Sequence, residues 1–111
     1  MLSPSGVVVP VKGESLEVPR AISIEEIQEL KLWFFAAAKR AVAAGFDLIE
    51  LHSAHGYGLN QWLSPITNRR TDMYGLDRSR LLIEIVSMLR KSFAELLVSV
   101  RLPGQDFFVG G

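Results

Sequence analysis

The sequence predicts an α/β domain with a parallel sheet. Over residues 23–111, segments with helical periodicity alternate with short strand-like segments, in the order helix, strand, long loop, helix, strand. This alternation indicates βαβ units, because a helix must carry the chain back between parallel strands. The chain has 111 residues, of which 49% are hydrophobic. One core, and one domain over residues 1–111, are therefore expected.

Residues 1–22 precede this pattern and are expected to form an irregular N-terminal loop. Pro4, Pro10 and Pro19 punctuate the segment. Because proline interrupts regular structure, a surface loop or a short hairpin is expected, with an extended piece at Val7–Val11.

The first helix is predicted over residues 24–44. Ser23 and Glu26 fit a capping box, in which the hydroxyl accepts a bond from a helix amide and the carboxylate accepts one from the N-cap amide. Gly45 is placed to end the helix in a left-handed conformation. Apolar residues recur every three or four positions and predict one buried stripe. The stripe consists of Ile27, Leu30, Phe34, Ala37, Ala38 and Ala41.

Strands are predicted over residues 46–52 and 96–102. Apolar and polar residues alternate in both, so one face of each strand should pack on a core. A long loop, residues 53–77, separates the first strand from a second helix over residues 78–93, with Asp77 as the expected N-cap. A loop of this length is usually functional or contains short elements of its own.

The polar faces of the two strands end in His52 and Arg101. The carboxyl ends of parallel strands meet at one edge of a sheet, and ligand sites of α/β proteins gather there. We therefore expect His52 and Arg101 to lie at the carboxyl ends of neighbouring strands.

The composition excludes several classes of function. The chain has no cysteine, which excludes disulfides, cysteine-ligated metals and cysteine nucleophiles. Twelve Lys and Arg balance twelve Asp and Glu, so no basic surface for nucleic acid or an anionic membrane is expected. The opening residues lack a leader pattern, and no apolar stretch reaches the ~20 residues of a membrane helix, so a cytoplasmic protein is expected.

The densest group of reactive side chains is His52, His55 and Tyr57, at the exit of the first strand. Imidazole N–H groups can donate to a carbonyl oxygen as negative charge develops on it, and a phenol can supply a proton as a general acid. Two alternatives remain open. The three can be ordinary strand-end and loop residues, or the histidines can bind a metal together with Glu50 or Asp47.

Arg101 is the second candidate. A guanidinium at a strand end can bind a phosphate, a carboxylate or the pyrimidine edge of a flavin. The alternative is a salt bridge to Glu50 on the adjoining strand. The polar segment 68–75 is expected to be a solvated or self-paired loop, because two arginines do not make a nucleic-acid surface.

Long motifs of this chain resemble those of the Old Yellow Enzyme family, the FMN-dependent NADH:flavin oxidoreductases and ene-reductases. The run Leu-Ile-Glu-Leu-His-Ser-Ala-His-Gly-Tyr at residues 48–57 resembles the fourth barrel strand and active-site motif of that family. The other resembling segments are residues 36–47 (the preceding helix and turn), 61–65 and 68–75 (the following loop), and 98–102 with Asp106 and Gly110–Gly111 (the fifth strand and its loop).

The resemblance implies a role for each candidate residue. His52 and His55 match the pair that hydrogen-bonds the substrate carbonyl. Tyr57 matches the proton donor to the substrate α-carbon, and Arg101 matches the arginine at the flavin pyrimidine edge. The implied cofactor is FMN with NAD(P)H as reductant, and the implied substrate is a small activated alkene or carbonyl compound. A related amine dehydrogenase branch has another residue at the position of His52.

The resemblance further implies a partial (β/α)8 TIM barrel with about two βα units. A complete barrel needs ~250 residues, so the chain matches a central fragment that is expected to be inactive alone. Ser53 replaces the usual glycine of the family, and Leu76–Asp77 replaces a longer loop. The alternative is a non-catalytic half-barrel that serves as an interaction or assembly module. Formation of a homo-oligomer would cover its open sheet edges.

Overall fold

The computed structural model describes residues 1–8 and 17–105. Part of the extended piece expected at Val7–Val11 lies outside the described residues, as do Asp106 and Gly110–Gly111. The elements in chain order are β1 (Leu2–Ser3), β2 (Arg20–Ala21), α1 (Ile24–Ala43), β3 (Leu48–His52), α2 (Leu59–Leu63), α3 (Met73–Leu76), α4 (Arg80–Ser92) and β4 (Leu97–Arg101).

The predicted parallel sheet is confirmed. β3 and β4 pair in parallel, from Leu48 opposite Leu97 to His52 opposite Arg101. Helix α4 lies between these strands in the chain, so β3, α4 and β4 form one βαβ unit. The strands are shorter at their ends than the sequence predicted, because pairing covers five residues of each.

Helix α1 begins and ends where its local chemistry predicts. The Ser23 side chain accepts a hydrogen bond from the Glu26 amide, and the Glu26 carboxylate accepts one from the Ser23 amide, which completes the capping box. Ala44 is the C-cap, and Gly45 follows it with a φ of +85°. Glycine adopts this left-handed conformation without a Cβ clash, so it is suited to end the helix.

The core lies between one face of the sheet and the two long helices. Leu51 of β3 belongs to the same buried cluster as Ile27 of α1 and a fully buried stripe on α4. The stripe consists of Leu81, Ile85 and Leu89, at the four-residue spacing of one helix face. On the opposite face of the sheet, Leu48 is 49% and Leu97 63% exposed, so that face is bare.

Two local predictions were wrong, and one alternative did not form. β1 and β2 pair in parallel, so these two strands are not the hairpin that was the alternative to a surface loop. Ser79, not Asp77, is the N-cap of α4, and the Asp77 carboxylate instead accepts bonds from the Ser79 amide and hydroxyl. Ala37 is exposed rather than part of the buried stripe, while Ala38 is buried.

The segment 68–75 is self-paired and partly buried rather than solvated. The Arg70 guanidinium donates to the carbonyl oxygens of Pro4 and Ile22, at 2.8 and 2.6 Å, and pairs with Asp72. It also lies 5.7 Å from the centre of the Trp62 ring. Arg70 therefore ties the long loop to the N-terminal segment and to the start of α1.

Among the described residues, none of the helices combines the length and apolarity that crossing a bilayer would require.

Candidate functional site

Two neighbouring strand ends bring His52 and Arg101 to one edge of the sheet. Their Cα atoms are direct partners in the parallel register. The chain leaves β3 through Ser53, whose amide donates to the Arg101 carbonyl oxygen at 2.9 Å. Leu51 and Val100 pack on the helices, so the alternation of side chains along a strand places His52 and Arg101 on the bare face. The expected placement of the two residues at neighbouring strand ends is confirmed.

His55 lies beside His52 although it belongs to the following turn. The two ring centroids are 5.1 Å apart and the ring planes are tilted by 53°. Both residues are exposed. One oxygen atom placed between two rings at this separation can accept a hydrogen bond from each, at the usual N···O distance of about 2.9 Å.

The turn that carries His55 has an unusual backbone. His55 has a φ of +64° and Gly56 a φ of +77°. Two consecutive positive φ values are typical of a type I′ turn. Glycine tolerates this region, whereas a residue with a Cβ loses about 1–2 kcal/mol there. Histidine is among the residues that adopt it more often than most. The strain is therefore concentrated at His55.

Tyr57 follows this turn and is 64% exposed. Its amide donates to the Ala54 carbonyl oxygen at 3.4 Å, a long bond across the turn. Among the described residues, no ring contact joins Tyr57 to His52 or His55. The structure thus places Tyr57 on the same turn as His55, with its side chain open to an incoming molecule.

Arg101 forms the salt bridge to Glu50 that the sequence offered as an alternative. The Arg101 Nε donates to Glu50 Oε1 at 2.8 Å, and the side chains are 54% and 39% exposed. The hydrogen bond from Arg101 to Glu50, and the negative charge of that carboxylate, raise the pKa of Arg101. The terminal nitrogens have no partner among the described residues, so the salt bridge orients the guanidinium and leaves its outer edge open to a ligand.

The described part of the chain contains no set of side chains that would support the metal-binding alternative. None of its groups of three or more His, Asp or Glu side chains could hold a metal ion. Glu50, one of the two carboxylates considered for that role, is paired with Arg101 instead.

Sequence reasoning missed two amide side chains that contact the turn. Asn60 Oδ1 accepts a bond from the Gly56 amide, and Gln61 Nε2 donates to the Gly56 carbonyl oxygen. Both amides follow Gly56 within five positions, at the start of α2, and this short spacing was the only signal. Asn and Gln are also common on exposed surfaces, so the spacing alone could not tell an amide side chain that bonds to the turn from one that points into solvent.

Ser53, at the position where the Old Yellow Enzyme motif usually has glycine, is fully buried. Its Oγ has no hydrogen-bond partner among the described residues. Nothing in the structure explains this substitution.

Comparison with known proteins agrees with the resemblance in the motifs. The sequence pattern of the NADH:flavin oxidoreductase / NADH oxidase family matches residues 3–110. NADH:flavin oxidoreductase FG08077 of Gibberella zeae is 50% identical over 95 residues, which are 82% of this chain and 23% of that protein.

Two solved structures have the same fold over most of this chain. Old Yellow Enzyme from Pichia sp. AKU4542 is 39% identical with a TM-score of 0.77, over 85% of this chain and 25% of that one. Histamine dehydrogenase from Rhizobium sp. 4-9 is 36% identical with a TM-score of 0.83, over 91% of this chain and 16% of that one. The chain thus spans a quarter or less of the length of each of these relatives.

Proposed function

Because the chain belongs to the NADH:flavin oxidoreductase / NADH oxidase family, we propose that it is the substrate-binding part of a longer FMN-dependent NAD(P)H oxidoreductase. In this proposal residues 1–111 are one incomplete (β/α)8 barrel domain, inactive alone. The complete protein reduces small activated alkenes of the conjugated carbonyl type. The observation that carries the proposal is the His52–His55 pair at the same sheet edge as Arg101.

The two imidazoles bind the carbonyl oxygen of the substrate. Reduction of a conjugated alkene at its β-carbon moves electron density onto this oxygen. Hydrogen bonds that His52 and His55 donate to it become stronger as the negative charge grows, which lowers the barrier. The backbone of the turn holds His55 toward His52 before any substrate arrives.

Tyr57 supplies the proton that completes the reaction. Its phenol O–H bond breaks, the proton passes to the α-carbon of the substrate, and the electron pair of the enolate forms the new C–H bond. Tyr57 is 64% exposed in this chain. Its phenolate can therefore regain a proton from water.

Arg101 fits the pyrimidine edge of the flavin. Its terminal N–H groups can donate to ring carbonyl oxygens, and its charge favours an anionic reduced ring. Glu50 holds the Nε of Arg101 and so sets the direction of the guanidinium. When bound, FMN supplies the hydride that the substrate β-carbon accepts, which no amino-acid side chain can do.

A chimera tests these roles. Residues 3–105 would replace the matching segment of the Pichia Old Yellow Enzyme, to which this chain is 39% identical. We expect the purified chimera to retain FMN and to reduce 2-cyclohexen-1-one with NADPH. Replacing both histidines, as His52→Ala with His55→Ala, should lower alkene reduction about 100-fold or more while the bound flavin remains. Gln28→Met is the matched control and should change neither.

The ratio of flavin to protein separates failure of folding from failure of the proposal. A chimera that retains FMN but reduces no alkene, or one whose activity is unaffected by loss of both histidines, would contradict the proposed function. Histamine is the second substrate to assay, because histamine dehydrogenase shares the fold with a TM-score of 0.83. Flavin reduction by histamine in place of NADPH would assign the chain to amine oxidation instead.

We also propose that the 111-residue chain, expressed alone, associates with copies of itself. One face of its two-stranded sheet is bare, and both strands have an unpaired edge within the described residues. Such surfaces associate in water. Light scattering should show a mass above that of one chain. A monomer that melts cooperatively would contradict this part of the proposal.

A further inference from the structure

We propose that Asn60 and Gln61 are positioning residues that hold the turn of His55 in its left-handed conformation. The inference deepens the proposed function and rests on it, because it concerns the histidine pair that binds the substrate carbonyl. Neither side chain touches the substrate in this proposal. Each acts on the backbone of the neighbouring Gly56.

Both polar backbone groups of Gly56 are bonded to side chains of α2. The Gly56 amide donates to Asn60 Oδ1 at 2.6 Å, and the Gly56 carbonyl oxygen accepts from Gln61 Nε2 at 3.0 Å. The only backbone bond across the turn, from the Tyr57 amide to the Ala54 carbonyl oxygen, is 3.4 Å long within the described residues. A bond of that length contributes little. The side-chain bonds are therefore what offset the strain at His55.

Asn60 is suited to this role because it is buried. Its exposed fraction is 2%, so water does not compete for the acceptor that Gly56 uses. A hydrogen bond in such surroundings is stronger than one in water. In the left-handed conformation the Gly56 amide reaches this acceptor, and in another turn the Gly56 amide would lose it.

Helix α2 is itself held in place from the following loop. It has five residues, too few to be stable alone. Thr67 Oγ1 donates to the Gln61 carbonyl oxygen and Asn68 Nδ2 to the Trp62 carbonyl oxygen, both at 2.7 Å. Thr67 and Asn68 are 7% and 3% exposed. A chain of buried and part-buried hydrogen bonds thus runs from the loop through α2 to Gly56, the residue that follows His55.

The test is nuclear magnetic resonance on the 111-residue chain, with no flavin present. Two signals report on the turn: hydrogen exchange at the Gly56 amide, and the nuclear Overhauser effect between ring protons of His52 and His55. In Asn60→Leu, which has a similar volume and no acceptor, exchange at Gly56 should become at least about tenfold faster. The ring-to-ring signal should be lost. Gln61→Met should also make exchange at the Gly56 amide faster and the ring-to-ring signal weaker.

Two further variants separate positioning from general stability. Asn60→Asp retains an acceptor oxygen for the Gly56 amide and should restore protection and the ring-to-ring signal. Gln28→Met removes an amide that bonds to Tyr74 instead, and should leave both signals unchanged. Loss of the signals in Gln28→Met, or their persistence in Asn60→Leu, would overturn the proposal. So would an unprotected Gly56 amide in an unmodified chain whose core amide at Ile85 is protected, because that protection shows that the chain is folded.

These outcomes are independent of the catalytic proposal. If Gly56 responds as expected but the chimera reduces no alkene, the turn is held by Asn60 and the proposed function is wrong. If the chimera is active and Gly56 does not respond to Asn60→Leu, the function stands and the positioning role is wrong.

Discussion

Arg70 and Arg101 carry the same charge, but they lie in two regions of the molecule that differ in hydrogen bonding and exposure. All three nitrogens of the Arg70 guanidinium donate hydrogen bonds, to Asp72 and to the carbonyl oxygens of Pro4 and Ile22, and its side chain is 11% exposed. Within residues 1–8 and 17–105, Arg101 donates only through Nε, to Glu50, and its side chain is 54% exposed. A guanidinium whose three nitrogens all donate to the protein is part of the structure. One that is oriented by a single bond can still bind a ligand.

The largest effect is expected when the stability of Arg70→Met is compared with that of Arg101→Met. The first change leaves the carbonyl oxygens of Pro4 and Ile22 and the carboxylate of Asp72 without their donor. We expect it to lower the free energy of unfolding by about 3 kcal/mol, measured by urea titration. Arg101→Met removes an exposed pair and should leave the midpoint unchanged. Equal effects of the two changes would refute the distinction.

Gly75→Ala tests how closely the loop is packed around Arg70. A Cβ at residue 75 would lie 1.8 Å from the carbonyl oxygen of Arg70, which is backbone and cannot turn away. We expect a loss of about 2 kcal/mol in the free energy of unfolding. Gly104→Ala is the control, because nothing lies within 4 Å of a Cβ there. If both variants were equally stable, the loop would be looser than the structure shows.

The smallest effect is a dependence of stability on pH. The hydrogen bonds from Arg70 hold the pKa of Asp72 below its usual 3.8. Since the unfolded chain then binds more protons at acidic pH, the stabilisation is complete above the usual pKa and is lost as the pH falls below it. Arg70→Met should remove the contribution of Asp72 to the pH dependence, so the free energy of unfolding should fall less steeply at acidic pH. An unchanged slope in that variant would mean that the pair does not form.

Glu26 adds a second contribution to the pH dependence of the free energy of unfolding. It has the same direction as that of Asp72 and does not depend on Arg70. Hydrogen bonds from Arg20 and from the Ser23 amide lower its pKa to about 2. Its stabilisation therefore disappears as the pH falls from the usual 4.5 toward 2. Glu26→Gln should remove this contribution, and combining it with Arg70→Met should flatten the curve further, because the two pairs are separate. Chemical denaturation between about pH 5 and pH 2 measures both.

Local patterns predicted those parts of the fold that local interactions stabilise. The capping box of Ser23 and Glu26 lies within four residues, and Gly45 ends α1 by its own backbone freedom. Likewise, alternation along each strand placed His52 and Arg101 on one face, and the parallel register then made them neighbours. In each case the interacting groups are close in sequence or repeat with a fixed period.

Contacts between distant segments could not be predicted in this way. The two carbonyl oxygens that accept from Arg70 belong to Pro4 and Ile22, more than 40 residues away, so the sequence predicted only a solvated or self-paired loop. The Asp77 prediction failed for a related reason. Two residues that can each cap a helix compete there, and Ser79 is the N-cap while Asp77 bonds to it.

The sequence by itself determined the order of the two long helices and of the two strands β3 and β4, the ends of α1 and the family motif, because periodicity, capping and turn chemistry act over a few residues. The tertiary structure alone decided that Arg70 donates from all three nitrogens whereas Arg101 is oriented through Nε. It also decided how far apart the His52 and His55 rings lie. The reason is that burial and the supply of hydrogen-bond partners depend on segments that meet only when the chain folds.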